Sequence, residues 1–310
     1  MITKPMDVLE RFEIRKTKAQ KTAFINAVTA YGQRQGYDVR TETGGRGCRN
    51  IVLGDPSKAK FLVTAHYDTC ASIGIPNIIT PCNPVTFLLY QIFVVGLFFL
   101  GAFLAGGLVS LVTDSKGLIF FAGYVAYFGL LILMMVGPAN RHTANDNTSG
   151  VVTLLEIAAT LPENLRDRVA FVLFDLEEAG LIGSAAYRKA HKAETERQIV
   201  LNLDCVGDGD EIVFFPTKKL KKAPQKLKSF QKILGKQGKK RISLHTKGFS
   251  YYPSDQKNFP YGVGISALRR NKWVGLYCGR IHTSRDTVLE HTNVNILRAA
   301  LISLIGAAEE

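Results

Sequence analysis

Residues 169–184 read VAFVLFDLEEAGLIGS. The first six are uninterruptedly apolar and rich in valine and phenylalanine, the pattern of a strand buried on both faces. Acids follow at once (Asp175, Glu177, Glu178), and small residues then lead into a helix expected over 183–191. Strand, acidic turn, helix is the repeating unit of a parallel sheet. The same grammar recurs on both sides. FLVTAHYD (61–68) is an apolar strand ending in His66-Tyr67-Asp68, and IVLNLD (199–204) is one ending in Asp204. Further strands are expected over 50–53, 212–215, 262–268 and 273–278, with helices over 151–160 and 293–307. The expected fold class is therefore α/β: a central, mainly parallel mixed sheet with helices on both faces.

In open α/β sheets, ligands bind beyond the carboxyl ends of the strands. His66, Asp68, Asp175, Glu177, Glu178 and Asp204 all fall there, and two loop residues can join them: Asp146 in ANDNTSG (144–150) and His282 in RIHTSRDT (280–287). Two imidazoles among several carboxylates form a nitrogen–oxygen set suited to zinc, with manganese or cobalt as alternatives. Each motif alone is weak, since Asn-Asp-Asn is ordinary turn chemistry and paired glutamates are usually solvated. The ordered combination at strand ends carries the weight.

The 310 residues, 46% of them hydrophobic, are enough to build a core without disulfides. Five scattered cysteines without a CxxC pair exclude a disulfide scaffold and a structural zinc ribbon, and favour a reducing compartment. Two anomalies stand out from this average. Between Thr69 and Thr113, and again from Gly117 to Asn140, the chain carries no Asp, Glu, Lys or Arg. Runs 85–112 and 118–136 are each long enough to span a hydrocarbon core of about 30 Å. With a turn over 113–117 they read as a transmembrane helical hairpin. Small residues Gly101/Ala105 and Ala102/Gly106 are expected to meet Ala122/Ala126. The chain then divides into a first catalytic part (1–83), the inserted hairpin (84–137) and a second catalytic part (138–310).

The second anomaly is basic. Residues 212–254 hold 12 Lys or Arg and no acid, which accounts for nearly all of the net +13. Leu227, Phe230, Ile233 and Leu234 recur at helical spacing, so the lysines of 218–241 are read as a solvated face or as a patch drawn to anionic lipid. No nucleic-acid reader motif accompanies them, and nucleic acid is not an expected partner. The N-terminal residues lack an apolar signal-like core; Leu9, Phe12, Phe24, Ala27, Val28 and Tyr31 suggest an amphipathic helix on the domain instead. Lys116 and Arg141 balance across the spans, so the expectation of a cytoplasm-facing catalytic domain rests on the N-terminus and the free cysteines.

TAHYD (64–68), ANDNTSGV (144–151), DLEEAGLIGS (175–184), NLD (202–204) and IHTSRDT (281–287) together resemble the zinc aminopeptidase family of the bacterial leucyl aminopeptidases, glutaminyl cyclases and the glutamate carboxypeptidase/transferrin receptor branch. The resemblance implies that His66 and Asp204 bind one zinc ion, Glu178 and His282 a second, and Asp146 bridges the two. It further implies that Asp68 orients His66 from behind and that Glu177 is the general base. Adjacent residues in extended chain point opposite ways, so one glutamate can grip metal while its neighbour addresses water. The implied activity is a membrane-anchored di-zinc aminopeptidase acting on peptides. The alternatives are a single-zinc glutaminyl cyclase-like acyltransferase and a non-catalytic scaffold. The sequence does not identify the side-chain pocket: Ser254-Asp255 and the glycine-rich Tyr261–Ile265 are candidate walls, although a structural turn is the more common use of each. The chain departs from the family between Asp68 and Asp146, 78 residues apart with the hairpin between, so the crevice is expected close to the bilayer surface.

Overall fold

The computed structural model describes residues 1–72 and 74–307. In chain order its helices are α1 (Asp7–Arg11), α2 (Lys18–Arg34), α3 (Pro84–Ser110), α4 (Lys116–Val136), α5 (Gly150–Thr160), α6 (Ile182–Ala190), α7 (Lys192–Thr195), α8 (Lys218–Lys221), α9 (Pro224–Lys228) and α10 (His291–Ala307). The strands are β1 (Val39–Thr43), β2 (Arg49–Leu53), β3 (Phe61–His66), β4 (Val169–Phe174), β5 (Ile199–Leu203), β6 (Glu211–Pro216), β7 (Gly235–Gln237), β8 (Lys240–Leu244), β9 (Gly262–Asn271) and β10 (Gly275–Tyr277).

The strands form one mixed sheet in the order β1-β2-β4-β3-β5-β9-β6-β8-β7, with β10 paired to β9. Its centre, β4-β3-β5-β9, is parallel. Register decides where the chemistry falls: His66 pairs with Phe174 and Thr64 with Asn202, so the chain leaves β3, β4 and β5 at one level. Alternation along each strand separates two cores. Phe61, Val63, Phe171 and Leu201 face α2, α5 and α10, whereas Leu62, Val172, Val200 and Phe174 face Tyr187 of α6.

Several expectations need adjusting. The expected strand 273–278 is divided: β9 runs on to Asn271, turns, and returns as the short β10. The edge strands β1 (VRTET) and β7 (GKQ), and β8 (KRISL) beside β7, were not anticipated, because half-solvated strands at the margins of a sheet do not carry an apolar run. The helical spacing at 227–234 proves to be α9 followed by a 3-10 turn over Ser229–Ile233, which buries Leu227, Phe230 and Ile233. Gln225, Lys226, Lys228 and Lys232 then line a hollow of about 870 Å³ beside Phe61 and Ile199, at the amino ends of β3 and β5. That is the pole opposite His66 and Asp204, away from the hairpin.

Helices α3 and α4 form an antiparallel pair outside the domain, starting and stopping close to the expected limits. Both are long and apolar enough to cross a membrane, and almost none of either is buried within the chain. Close approach occurs where Gly106 meets the Ile119 backbone and Gly123 meets that of Ala102. Gly123, rather than Ala122, is the small residue at this contact. The roots of the hairpin are stitched together, since Ser72 donates to the Pro138 carbonyl (2.8 Å) and Asn140 to that of Cys70 (3.0 Å). The insertion therefore leaves and re-enters the domain at one point.

Candidate metal centre

The crevice lies where β3, β4 and β5 end. His66 is the last residue of β3, and Asp204 directly follows β5. Asp146 sits in a distorted turn, Ala144–Ser149, leading into α5, and its peptide bond to Asn147 is cis. His282 comes from the loop before α10. Glu177 and Glu178 lie in a turn rather than in extended chain, so the alternation expected for them does not apply. Their positions are set instead by Leu176, in the left-handed region at φ 57°, and by Asp68, whose carboxylate accepts the backbone N–H of Glu177 (3.0 Å) and of Glu178 (3.2 Å). Cys205 (φ 54°) and His282 (φ 59°) are also left-handed, a conformation costly for residues with a Cβ.

The structure brings seven of the eight candidate residues together, all but Asp175. The Asp146 carboxylate divides between two imidazoles: Oδ1 is 3.3 Å from His66 Nε2, and Oδ2 is 3.0 Å from His282 Nε2. Asp204 Oδ1 lies 3.7 Å from His66 Nε2, and Glu178 Oε2 lies 3.6 Å from His282 Nε2. Three groups with metal-ligand spacing result among the described residues: His66/Asp146/Asp204, Cys70/Asp146/Glu178/His282 and His66/Glu177/Glu178, the first two sharing Asp146. Asp68 Oδ1 stands 3.5 Å behind His66 on the Nδ1 side.

The charges are unbalanced without a cation. Burial and neighbouring carboxylates push Glu177 well above the ordinary carboxyl range, and Glu178 up to about 8. Burial alone would lower the histidines, but Glu178 and Asp146 lift His282 to about 9, and Glu177 with Asp146, Asp204 and Asp68 lifts His66 well above its usual value. Burial would raise Asp146 and Asp68, yet the imidazoles outweigh it and hold both below the carboxylate norm. Buried carboxylates crowded around two imidazoles repel one another, and a divalent cation held among them would relieve that repulsion. Among the described residues the buried Nδ1 atoms of His66 and His282 find no hydrogen-bond partner, and both Nε2 atoms face the acids. The donor set thus fits zinc.

Two sets of candidates drop out here. Asp175 does not join the crevice: Lys21 of α2 meets its Oδ1 at 2.5 Å, and Arg49 N–H reaches its Oδ2 at 3.0 Å. Ser254-Asp255 and Tyr261–Ile265 are not its walls. The cavity, of about 500 Å³, is lined instead by Tyr251, Tyr252 and Pro253 and by the hairpin residues Phe87, Tyr90 and Met135. Asp255 is wholly buried behind the crevice, where burial raises it to about 7. Two supporting residues escaped the sequence reading. Asp286 accepts the backbone N–H of Asn145 (2.8 Å) and Asp146 (3.0 Å), holding the bridging loop in place. Arg15, wholly buried, donates to the Tyr67 carbonyl and to Thr148 Oγ1. The RIHTSRDT motif contained the first signal, but Arg15 lies in an unremarkable segment.

The profile of peptidase family M28 matches residues 118–304, more than half the chain. The chain belongs to peptidase family M28. The match spans Asp146, Glu177, Glu178, Asp204 and His282, while His66 and Asp68 precede it. Nothing among curated protein sequences matches this M28 chain. Among solved structures, the LapA aminopeptidase of Legionella pneumophila is similar at 14% identity and a TM-score of 0.55, over 98% of this chain and 67% of that one. The glutaminyl cyclase of Porphyromonas gingivalis is similar at 16% identity and a TM-score of 0.58, over 98% and 96%. A leucine aminopeptidase precursor from Bacteroides thetaiotaomicron follows at 17% and 0.53, over 97% and 93%. At such identities the likeness establishes the shared fold. Family and donor set together make this M28 chain a zinc-dependent peptidase.

Proposed function

We propose that this M28 protein is a membrane-anchored di-zinc aminopeptidase that removes N-terminal residues from peptides. The observation that carries the reading is the Asp146 carboxylate, one oxygen toward each of two complete ligand groups. His66 and Asp204 would hold one ion and Glu178 and His282 the other, with Asp146 between them. When bound, such a pair lowers the pKa of a water and polarises the scissile carbonyl. Glu177 lies outside the two groups that share Asp146, although it also has ligand spacing with His66 and Glu178, and it lines the same cavity; we assign it as the base. It takes the proton of the attacking water and delivers it to the leaving amine, work worth about 10²–10⁴-fold in rate. Asp68 holds the glutamate turn through its two backbone N–H groups and faces His66, keeping base and ligands in register. The free α-amine of a substrate finds a cluster of carboxylates, which favours trimming from the N-terminus. Asp255, buried beside Glu177, adds to the charge that keeps that base proton-hungry.

Anchoring rests on α3 and α4, whose large side chains (Phe103 76% exposed, Phe120 68%) find no cover within the chain. The five cysteines are free, in keeping with a catalytic domain in a reducing compartment. The test is a mixed peptide library incubated with detergent-purified protein, followed by mass spectrometry, with metal content measured on the same sample. Zinc-dependent stepwise N-terminal trimming that vanishes in Glu177→Gln, with two ions per chain, is expected. Loss of ammonia from N-terminal glutamine peptides with one ion per chain would replace this reading by a cyclase, and an intact library would remove the peptidase assignment.

A further inference from the structure

The metal centre and the hairpin share one cavity. Phe87, Tyr90 and Gln91 of α3 and Met135 of α4 line it opposite Glu177 and Asp146. The wall is held rigidly: the Phe87 ring lies 5.0 Å from that of Tyr251, and the Tyr90 hydroxyl donates to the Pro76 carbonyl at 3.0 Å.

Helix lengths say at what depth this wall lies. The 27 residues of α3 span about 40 Å and the 21 of α4 about 32 Å, against a hydrocarbon core of about 30 Å. Contacts of Gly106 with Ile119, Ala102 with Gly123 and Phe99 with Tyr127 set the antiparallel register. Continued to the root, that register puts Met135 beside Tyr90 and Gln91 and leaves the first turn and a half of α3 beyond the end of α4. The crevice wall therefore lies at the end of the paired helices, Phe87 in the surplus turn of α3 and Tyr90, Gln91 and Met135 in the last paired turn, at the level where hydrocarbon gives way to headgroups. A second feature marks the same level. Asn83, the N-cap of α3, donates from Nδ2 to the Val274 carbonyl (3.3 Å) in the β9–β10 turn. Next to it stands Trp273, 80% exposed, with Lys272 over its ring. A projecting tryptophan flanked by a basic residue suits the membrane–water interface.

We propose that the catalytic crevice opens at the bilayer surface and takes the free amino termini of peptides held in that surface, their first side chain packing against Phe87, Tyr90 and Met135. The substrate class rests on the aminopeptidase reading; the position of the crevice does not. Trp273 is the one tryptophan in the chain, so its fluorescence reports that position directly. The full chain is reconstituted in phosphatidylcholine liposomes containing lipids brominated high on the acyl chain, with Trp273→Phe as the blank. Trimming of a soluble peptide is compared with that of the same peptide carrying a C-terminal palmitoyl chain. Quenching of Trp273 is expected, with kcat/KM at least tenfold higher for the anchored peptide. Phe87→Ala is expected to raise KM for a leucine-first peptide by about tenfold more than for an alanine-first one. Unquenched Trp273, or equal trimming of the two peptides, overturns the proposal. Quenching without trimming of any peptide, in liposomes or in zinc-supplemented detergent, overturns the substrate class together with the peptidase reading, and the quenching separates that failure from a misplaced crevice.

Discussion

Replacing Asp68 by asparagine changes neither size nor shape, yet it removes one of two acceptors and a charge. Its carboxylate accepts two backbone N–H groups, from Glu177 and Glu178, and faces His66 Nδ1 at 3.5 Å. An asparagine oxygen can serve one of those N–H groups, and its amide then points a donor at the other. A buried donor left without an acceptor costs about 1–3 kcal/mol. Loss of the group behind a metal-binding histidine lowers metal affinity by about 10–100-fold, or about 1.4–2.7 kcal/mol. The two estimates agree because they describe one event, the glutamate turn and His66 losing a common support. Zinc affinity, read by competition with a chromophoric chelator, is expected to fall by 10–100-fold. The zinc-free protein is expected to melt about 2–12 °C lower, at about 2–4 °C per kcal/mol for a domain of this size. Zinc affinity within twofold of the parent would refute the reasoning, since Asp68 would then support neither element.

Glu177→Gln should lower kcat by about 10²–10⁴-fold while two zinc ions remain bound, as metal analysis and steady-state kinetics can show together. Lys21→Met leaves Asp175 buried without its cation. A loss of about 3–5 kcal/mol, read as a fall in melting temperature of about 6–20 °C, is expected without the loss of metal seen in ligand variants. Asp286→Ala frees the Asn145 and Asp146 amides, and zinc affinity should again drop about 10–100-fold although the residue touches no expected ligand atom. Removing zinc with EDTA should lower the melting temperature reversibly: with zinc at a thousand times its dissociation constant, binding contributes about 4 kcal/mol to the folded state.

Much of this was legible in the linear chain because burial on both faces writes an uninterrupted apolar run. VAFVLF, FLVTA and IVLNL are such runs, and each ends where a charge must reach polar surroundings. The ends of β3, β4 and β5 were therefore marked by His66, Asp175 and Asp204 themselves. The marginal strands β1, β7 and β8 were not legible, since a half-solvated strand carries no such run. Asp175 shows the limit of the rule: it ends β4 just as Asp204 ends β5, yet it turns to Lys21, 154 residues away in sequence, and takes no part in the crevice. The paired glutamates show it again. Their placement was read from strand alternation, but it is set by a left-handed Leu176 and two hydrogen bonds to Asp68.

By itself, then, the sequence determined the βα order, the two apolar helices between Asp68 and Asp146, and the residue types that gather at the strand ends. Those are consequences of local pattern, period and charge. Only the tertiary structure decided that Asp146 turns one oxygen to each histidine, that Asp286 clamps its loop, and that Phe87, Tyr90 and Met135 of the hairpin close the crevice in place of Ser254-Asp255. Each of these is a contact between segments far apart in the chain, set by the sheet register and by the stitched root of the hairpin, and no local pattern encodes such a distance.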